Sequence, residues 1–280
     1  MIVKVSQQEL DTLTLNEETI QLAVNLIRVN GYVILEGVLP EAKVVELRTA
    51  FQEAMDWFID KHGKEIYLNK TGFNEGTNHL GIFLPFQAPF NDPLVIEHPF
   101  ALAIMDRILG KDYSVTLFSS NTSLPGGQKS QPVHPDYGAR FGDLCNTHLP
   151  ITDLVFNIPL VDVHDGNGPM EIWPGGTHLL PDNYYGPNGP NPEELAPHMH
   201  SIKVHMPAGS ILLRDVRMWH RGTPNRGDSI RPNLALIYSA MDRDNRVQIP
   251  IETYEQMSDR AKHLFRWQKI GYPAIEPTHE

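Results

Sequence analysis

His134-Pro135-Asp136, the downstream His220 and, beyond it, Arg231 are the residues whose types and spacing suit chemistry. Two imidazoles and one carboxylate form the ligand set of a facial non-haem iron(II) site, which leaves positions open for a cosubstrate and for oxygen. The planar fork of Arg231 suits bidentate pairing with a carboxylate, which a lysine holds less well. In an extended chain His134 and Asp136 stand at i and i+2 on one face, so both reach one ion.

Taken singly, each residue has a plainer role. With 13 histidines in 280 residues, one His-x-Asp is about what chance supplies, and the pair could form an Asx-type turn. His220 beside Trp219 could be a satisfied core histidine, and Arg231 a surface ion pair worth little. The context favours a site. Pro132 and Pro135 flank His134, and Gly126-Gly127 precede it, as at a strand mouth or loop where functional side chains collect. Pro207-Ala208-Gly209 turns into a run that leads to His220, and Arg231 opens the next.

The elements that must position these residues follow from periodicity. Asn16 predicts the cap of a helix to about Val29, with Ile20, Ala23, Val24 and Ile27 on one apolar face and Asn30-Gly31 ending it. Residues 32–35 read as a short buried strand. Pro40 suits the first turn of a longer helix carrying Val44, Leu47, Phe51, Ala54, Met55 and Phe58. Residues 64–98 read as irregular; within them the stretch 73–90, with Phe83, Phe86 and Phe90, covers a barrel mouth or packs on a sheet. A third helix is expected over 99–109. Short β-type runs between Gly, Pro and Asn turns then follow at 113–119, 154–163, 170–173, 201–206, 210–214 and 234–239. Residues 182–197 read as a long polar loop lying over something, and 253–267 as a last helix. The expectation is one domain over 1–280, mainly β with flanking helices: a helical N-terminal third on a sandwich, jelly-roll or barrel core of about 112–240.

Composition narrows the function. Hydrophobic residues at 41% and charged residues at 20% describe a chain able to bury a core. A formal net charge of −11 argues against nucleic acid and against an anionic membrane surface. The single cysteine, Cys145, allows no intramolecular disulfide and no thiolate-based zinc site. The N-terminus has no apolar leader core and no run reaches spanning length, so a cytoplasmic location is expected. Nothing in the sequence sets an oligomeric state.

The local words add a resemblance. Gln131-Pro132-Val133-His134-Pro135-Asp136 resembles the first iron motif of the phytanoyl-CoA dioxygenase family of 2-oxoglutarate oxygenases. Gly166-Asn167-Gly168-Pro169-Met170-Glu171-Ile172-Trp173-Pro174-Gly175-Gly176-Thr177-His178 resembles that family's NGp…PGSH segment, one residue longer. Trp219-His220-Arg221-Gly222-Thr223-Pro224-Asn225, on to Arg231, resembles its second histidine and cosubstrate arginine. The similarity runs from about residue 17 to 240 and is greatest to antibiotic-tailoring members. It implies a double-stranded β-helix (jelly-roll or cupin-like) core, Fe(II) held by His134, Asp136 and His220, and 2-oxoglutarate held by Arg231 with Gln131 beside it. It also implies O2 as oxidant, with ascorbate stimulatory, and release of succinate and CO2. Asp136 fills the position a halide would need, which favours hydroxylation or a related oxidation over halogenation. No role is carried onto His178.

The expected function is therefore oxidation of a small-molecule, secondary-metabolite substrate. Tyr137, Arg140 and Trp173, and Tyr184-Tyr185, are candidates to line its pocket. The other open readings are a non-catalytic or zinc-binding β-barrel that binds a small ligand, and a cupin-type isomerase using His198 and His200. Those two histidines, with His205 nearby, form a second possible nitrogen cluster or belong to a polar lid.

Overall fold

The structure, a computed structural model, describes residues 1–63 and 74–279. In chain order the elements are β1 (Ile2–Val3), α1 (Gln7–Thr12), α2 (Glu17–Asn30), β2 (Tyr32–Leu35), α3 (Glu41–His62), β3 (His79–Phe83), α4 (Pro93–Ile96), α5 (Pro99–Leu109), β4 (Ser114–Ser123), β5 (Asp153–Pro159), β6 (Met170–Ile172), α6 (Pro192–Leu195), β7 (Ile202–Lys203), β8 (Ile211–Asp215), β9 (His220–Gly222), β10 (Asn233–Ser239), β11 (Gln248–Ile249), α7 (Ile251–Gln256), α8 (Asp259–Leu264), β12 (Lys269–Ile270) and β13 (Thr278–His279).

Local signals set the helices. The Asn16 side chain accepts the Thr19 N–H at 2.8 Å, and Gly31 ends α2 at φ +85°, a left-handed turn that a glycine makes without strain. All six apolar residues expected on α3 are buried. Pro40 is the residue before that helix rather than part of its first turn. An unforeseen helix, α1, starts on a capping box in which Ser6 and Glu9 each hold the other's backbone N–H.

Eight strands form the large sheet in the order β1-β2-β8-β5-β10-β4-β3-β13, and β7-β6-β9 form a smaller one. Every residue of β5, β8 and β10 is buried, so these strands show no polar alternation: both faces are covered. Outward, Leu154, Phe156, Ile158, Leu234 and Leu236 join one core with Ala23, Ile27, Leu47, Phe51 and Phe100 from α2, α3 and α5. Truncating Phe156 to alanine there would cost about 3–5 kcal/mol. Inward, alternate residues face the site. Leu117, Ile237, Val155 and Arg214 are successive register partners across β4, β10, β5 and β8. Two sheets with helices outside the larger one make this a double-stranded β-helix, as the resemblance implied.

Several boundaries differ from the sequence expectation. Residues 64–73 of the stretch read as irregular lie outside the described residues; the remainder contains β3 and α4. β3 is hidden in sequence because Gly81 interrupts its apolar run, yet it pairs with β4 from His79↔Ser123 to Phe83↔Ser119. β4 runs past the expected end through Ser120-Asn121-Thr122-Ser123, polar residues whose backbone is satisfied by β3 and β10. β5 stops at Pro159. The expected last helix is two, because Ser258 caps α8 by accepting the Ala261 N–H at 2.9 Å. Residues 182–197 are not plain loop: α6 and short 3-10 turns fold them over the site's outer wall, where the Glu193 carboxylate accepts the Val133 N–H. Among the described residues no helix is long and apolar enough to cross a membrane.

Candidate active site

The loop after β4 carries Gln131 to Asp136 back across the second sheet. Gln131 N–H donates to Gly222 C=O at 2.9 Å, and His134 and His220 exchange both backbone hydrogen bonds at 3.0 Å. Asp136 N–H donates to Val216 C=O at 2.8 Å. This short ladder places His134, Asp136 and His220 so that one ligand atom from each lies within 4.8 Å of the others. His220 Nε2 is 3.3 Å from Asp136 Oδ1. Asp136 keeps 24% of its side-chain exposure and His220 only 8%, so the group opens to solvent on the Asp136 side.

The donor set fits a divalent metal. His134 Nδ1 lies 2.8 Å from the Pro132 carbonyl and His220 Nδ1 lies 3.1 Å from the Met218 carbonyl. A carbonyl can only accept, so each Nδ1 carries the proton and each Nε2 keeps a lone pair for an ion. Burial, then the neighbouring His220, brings the His134 imidazole down to about 3, so it stays neutral. Burial is the largest single influence on Asp136 and opposes its ionisation, but the Arg214 guanidinium and the neighbouring imidazoles of His220 and His134 together outweigh it and hold the carboxyl well below its usual range.

Arg231 lines the same cavity as Asp136 and His220. Its Nη1 donates to Asn121 C=O at 3.2 Å and its Nη2 to Gly168 C=O at 3.1 Å, while Nε has no partner. Among the described residues no carboxylate pairs with it. Burial alone brings it down to about 10, so it remains a buried cation without a counter-charge. Gln131 also lines the cavity, but its amide is committed: Oε1 accepts the Gly222 N–H at 2.9 Å and Nε2 donates to Asn74 Oδ1 at 2.8 Å.

The pocket candidates separate. Tyr137 packs on Val155, Val216 and Ile237, of which Val155 and Ile237 line the cavity. Arg140 lies over the Tyr137 ring at 5.3 Å and is held by Asp153 and Asp242. Trp173 lies outside the cavity, in a cluster with Val133, Ala196 and Trp219, and its Nε1 donates to Ala196 C=O at 3.1 Å. Tyr184 is exposed, and Tyr185 donates its hydroxyl proton to Thr177 C=O at 2.5 Å. His198 and His200 are exposed and His205 faces Asp165 at 3.4 Å. The His134 group is the one potential metal cluster among the described residues. His178 is fully buried with Nε2 on Arg28 C=O at 3.1 Å, so it ties the end of α2 to the second sheet.

Two titratable residues of the cavity were not foreseen. Arg214 ends the apolar run of β8, and a charge closing a buried strand was the available signal. His79 lay in the stretch read as irregular. Its Nδ1 is 3.1 Å from Thr77 C=O and its buried Nε2 has no partner. Burial, then Arg231, brings it down to about 3.

Known proteins share this chain's family pattern and its fold. The pattern of the phytanoyl-CoA dioxygenase family matches residues 27–233. A relative, Dioxygenase ALT11 of Alternaria alternata, is 27% identical over 222 residues, 75% of this chain and 68% of that protein. The structure is similar to SnoK, a non-haem α-ketoglutarate-dependent carbocyclase from nogalamycin biosynthesis, with TM-score 0.58 and 25% identity over 80% of this chain and 84% of that one. It shares its fold with SnoN, the epimerase of the same biosynthesis, at TM-score 0.56 and 21% identity over 80% and 82% of the two chains.

Proposed function

We propose, from the premise that the chain belongs to the phytanoyl-CoA dioxygenase family, that it oxidises a small-molecule secondary metabolite with O2 and 2-oxoglutarate, releasing succinate and CO2. His134, Asp136 and His220 would hold Fe(II), which with its cosubstrate supplies the oxidising power for C–H cleavage. The observation that carries this reading is Arg231: a buried cation with no carboxylate partner among the described residues, in the cavity that Asp136 and His220 also line. A buried charge is stable only when paired, and a dicarboxylate cosubstrate supplies the pair. Gln131 would shape the cavity wall beside it.

The chain's own part is orientation. Leu117, Val155 and Ile237 make an apolar wall on the Asp136 side, suited to a C–H-bearing, uncharged part of a substrate. Tyr137 backs that wall, and Arg140 fixes Tyr137 from behind. Hydroxylation fits a site whose carboxylate occupies the third position; ring closure is the chemistry named for SnoK. The test is succinate formation from 2-oxoglutarate with Fe(II), O2 and ascorbate. Equal rates for wild type, H134A and R231A would defeat the reading.

A further inference from the structure

We propose that Arg214 is a positioning residue that makes Asp136 a one-oxygen ligand and so keeps a coordination position free for the cosubstrate. This rests on the iron reading above. Arg214 is 3% exposed. Its Nη2 donates to Asp136 Oδ2 at 2.5 Å, the short, charge-assisted kind of hydrogen bond. The other oxygen, Oδ1, is the one that faces His220 Nε2 at 3.3 Å. The two carboxylate oxygens therefore have separate duties.

The clamp stands on rigid ground. Arg214 leaves β8 between β2 and β5, with Tyr32 and Val155 as its register partners, all buried. A side chain fixed by two neighbouring strands holds its partner more accurately than one on a loop. A carboxylate with both oxygens unclaimed can chelate an ion through both. That would consume a position the facial site needs for 2-oxoglutarate or oxygen. With Oδ2 engaged, only Oδ1 is offered. Partners of this kind around metal ligands set coordination as strongly as the ligands themselves.

The test uses the full-length protein loaded with Co(II), whose visible absorption reports coordination number without turnover. In R214M the proposal expects weaker visible absorption, as coordination number rises, and affinity of the Co(II) protein for 2-oxoglutarate lowered about tenfold or more. R214K keeps the charge and one donor, and is expected to restore the wild-type spectrum. A wild-type spectrum and wild-type 2-oxoglutarate affinity in R214M overturn the proposal. If R214M does not fold, X-ray absorption of the Co(II)-loaded wild type decides: a chelating carboxylate brings its carbon close to the metal, and finding that carbon shell overturns the proposal, while its absence supports it. Failure of the iron reading looks different, because then the wild type takes up no Co(II), or H134A takes up as much.

Discussion

His134 and His220 are bridge partners: each backbone N–H donates to the other's carbonyl at 3.0 Å, and their ring centroids are 4.3 Å apart. One pair of hydrogen bonds thus joins two distant segments and sets two of the three candidate metal donors side by side. Removing either ring leaves that backbone pair in place. H134A and H220A are therefore expected to fold with near wild-type stability yet lose metal affinity by about a hundredfold or more. Metal content after desalting, together with urea denaturation, checks both halves.

Arg231 is expected to govern cosubstrate binding and little else at the metal. R231M should weaken 2-oxoglutarate binding to the Co(II)-loaded protein about a hundredfold, the effect of losing a charge-assisted pair worth roughly 3 kcal/mol. R231K should recover part of it, because it keeps the charge without the fork. Calorimetry with 2-oxoglutarate measures this, and unchanged affinity in R231M would remove Arg231 from the site.

Gly222 and His79 share one space. A Cβ on residue 222 would collide with the His79 ring, although Gly222 itself needs no unusual backbone. G222A is expected to lower stability by about 1–3 kcal/mol through overpacking. Adding H79A should return much of that loss, because it removes the obstructing ring. A double-mutant cycle by urea denaturation reads the coupling; strictly additive effects would contradict the geometry.

His98 gives a pH-dependent cap. Its Nδ1 accepts the Phe100 N–H at 3.2 Å at the start of α5, and burial brings the imidazole down to about 4. The unfolded chain, with a value near 6.5, binds the proton more readily. The histidine's contribution is thus complete above about pH 6.5 and is lost as pH falls toward 4. The loss is up to roughly 3 kcal/mol. H98N keeps a cap acceptor and does not titrate, so its stability should fall less steeply over that window. His79 and His134 slope the same way, so some dependence remains. Identical pH–stability curves for H98N and wild type would rule out this origin.

Glu9 acts in the more acidic range. Burial raises its carboxyl, but hydrogen bonds from Ser6 and Asn16 outweigh this and bring it down to about 2. Its stabilisation is present above about pH 4.5 and is lost as pH falls toward 2. E9Q should be less stable than wild type at pH 6, and most of that gap should be gone by pH 2.5. Thermal unfolding at the two pH values tests it.

The sequence by itself determined what depends on near neighbours. Asn16 and Gly31 bound α2, and the third helix, expected over 99–109, is found as Pro99–Leu109, because caps and apolar periodicity act within a turn or two. The words around His134, His220 and Arg231 carried the family, since each word is a local pattern even where the words lie far apart. Tertiary structure alone decided what depends on register and on which face is covered. Strand β3 was invisible because its stability comes from pairing with β4, and that pairing brings His79 into the cavity. Arg214 read as the end of an apolar run until register placed it opposite Val155, with its guanidinium on Asp136. Trp173 and Arg140 carried the right chemistry for a pocket, but one is claimed by a buried cluster and the other by two carboxylates. Side-chain direction alternates along a strand, so a shift of one residue exchanges cavity for core; only the assembled sheets fix that register.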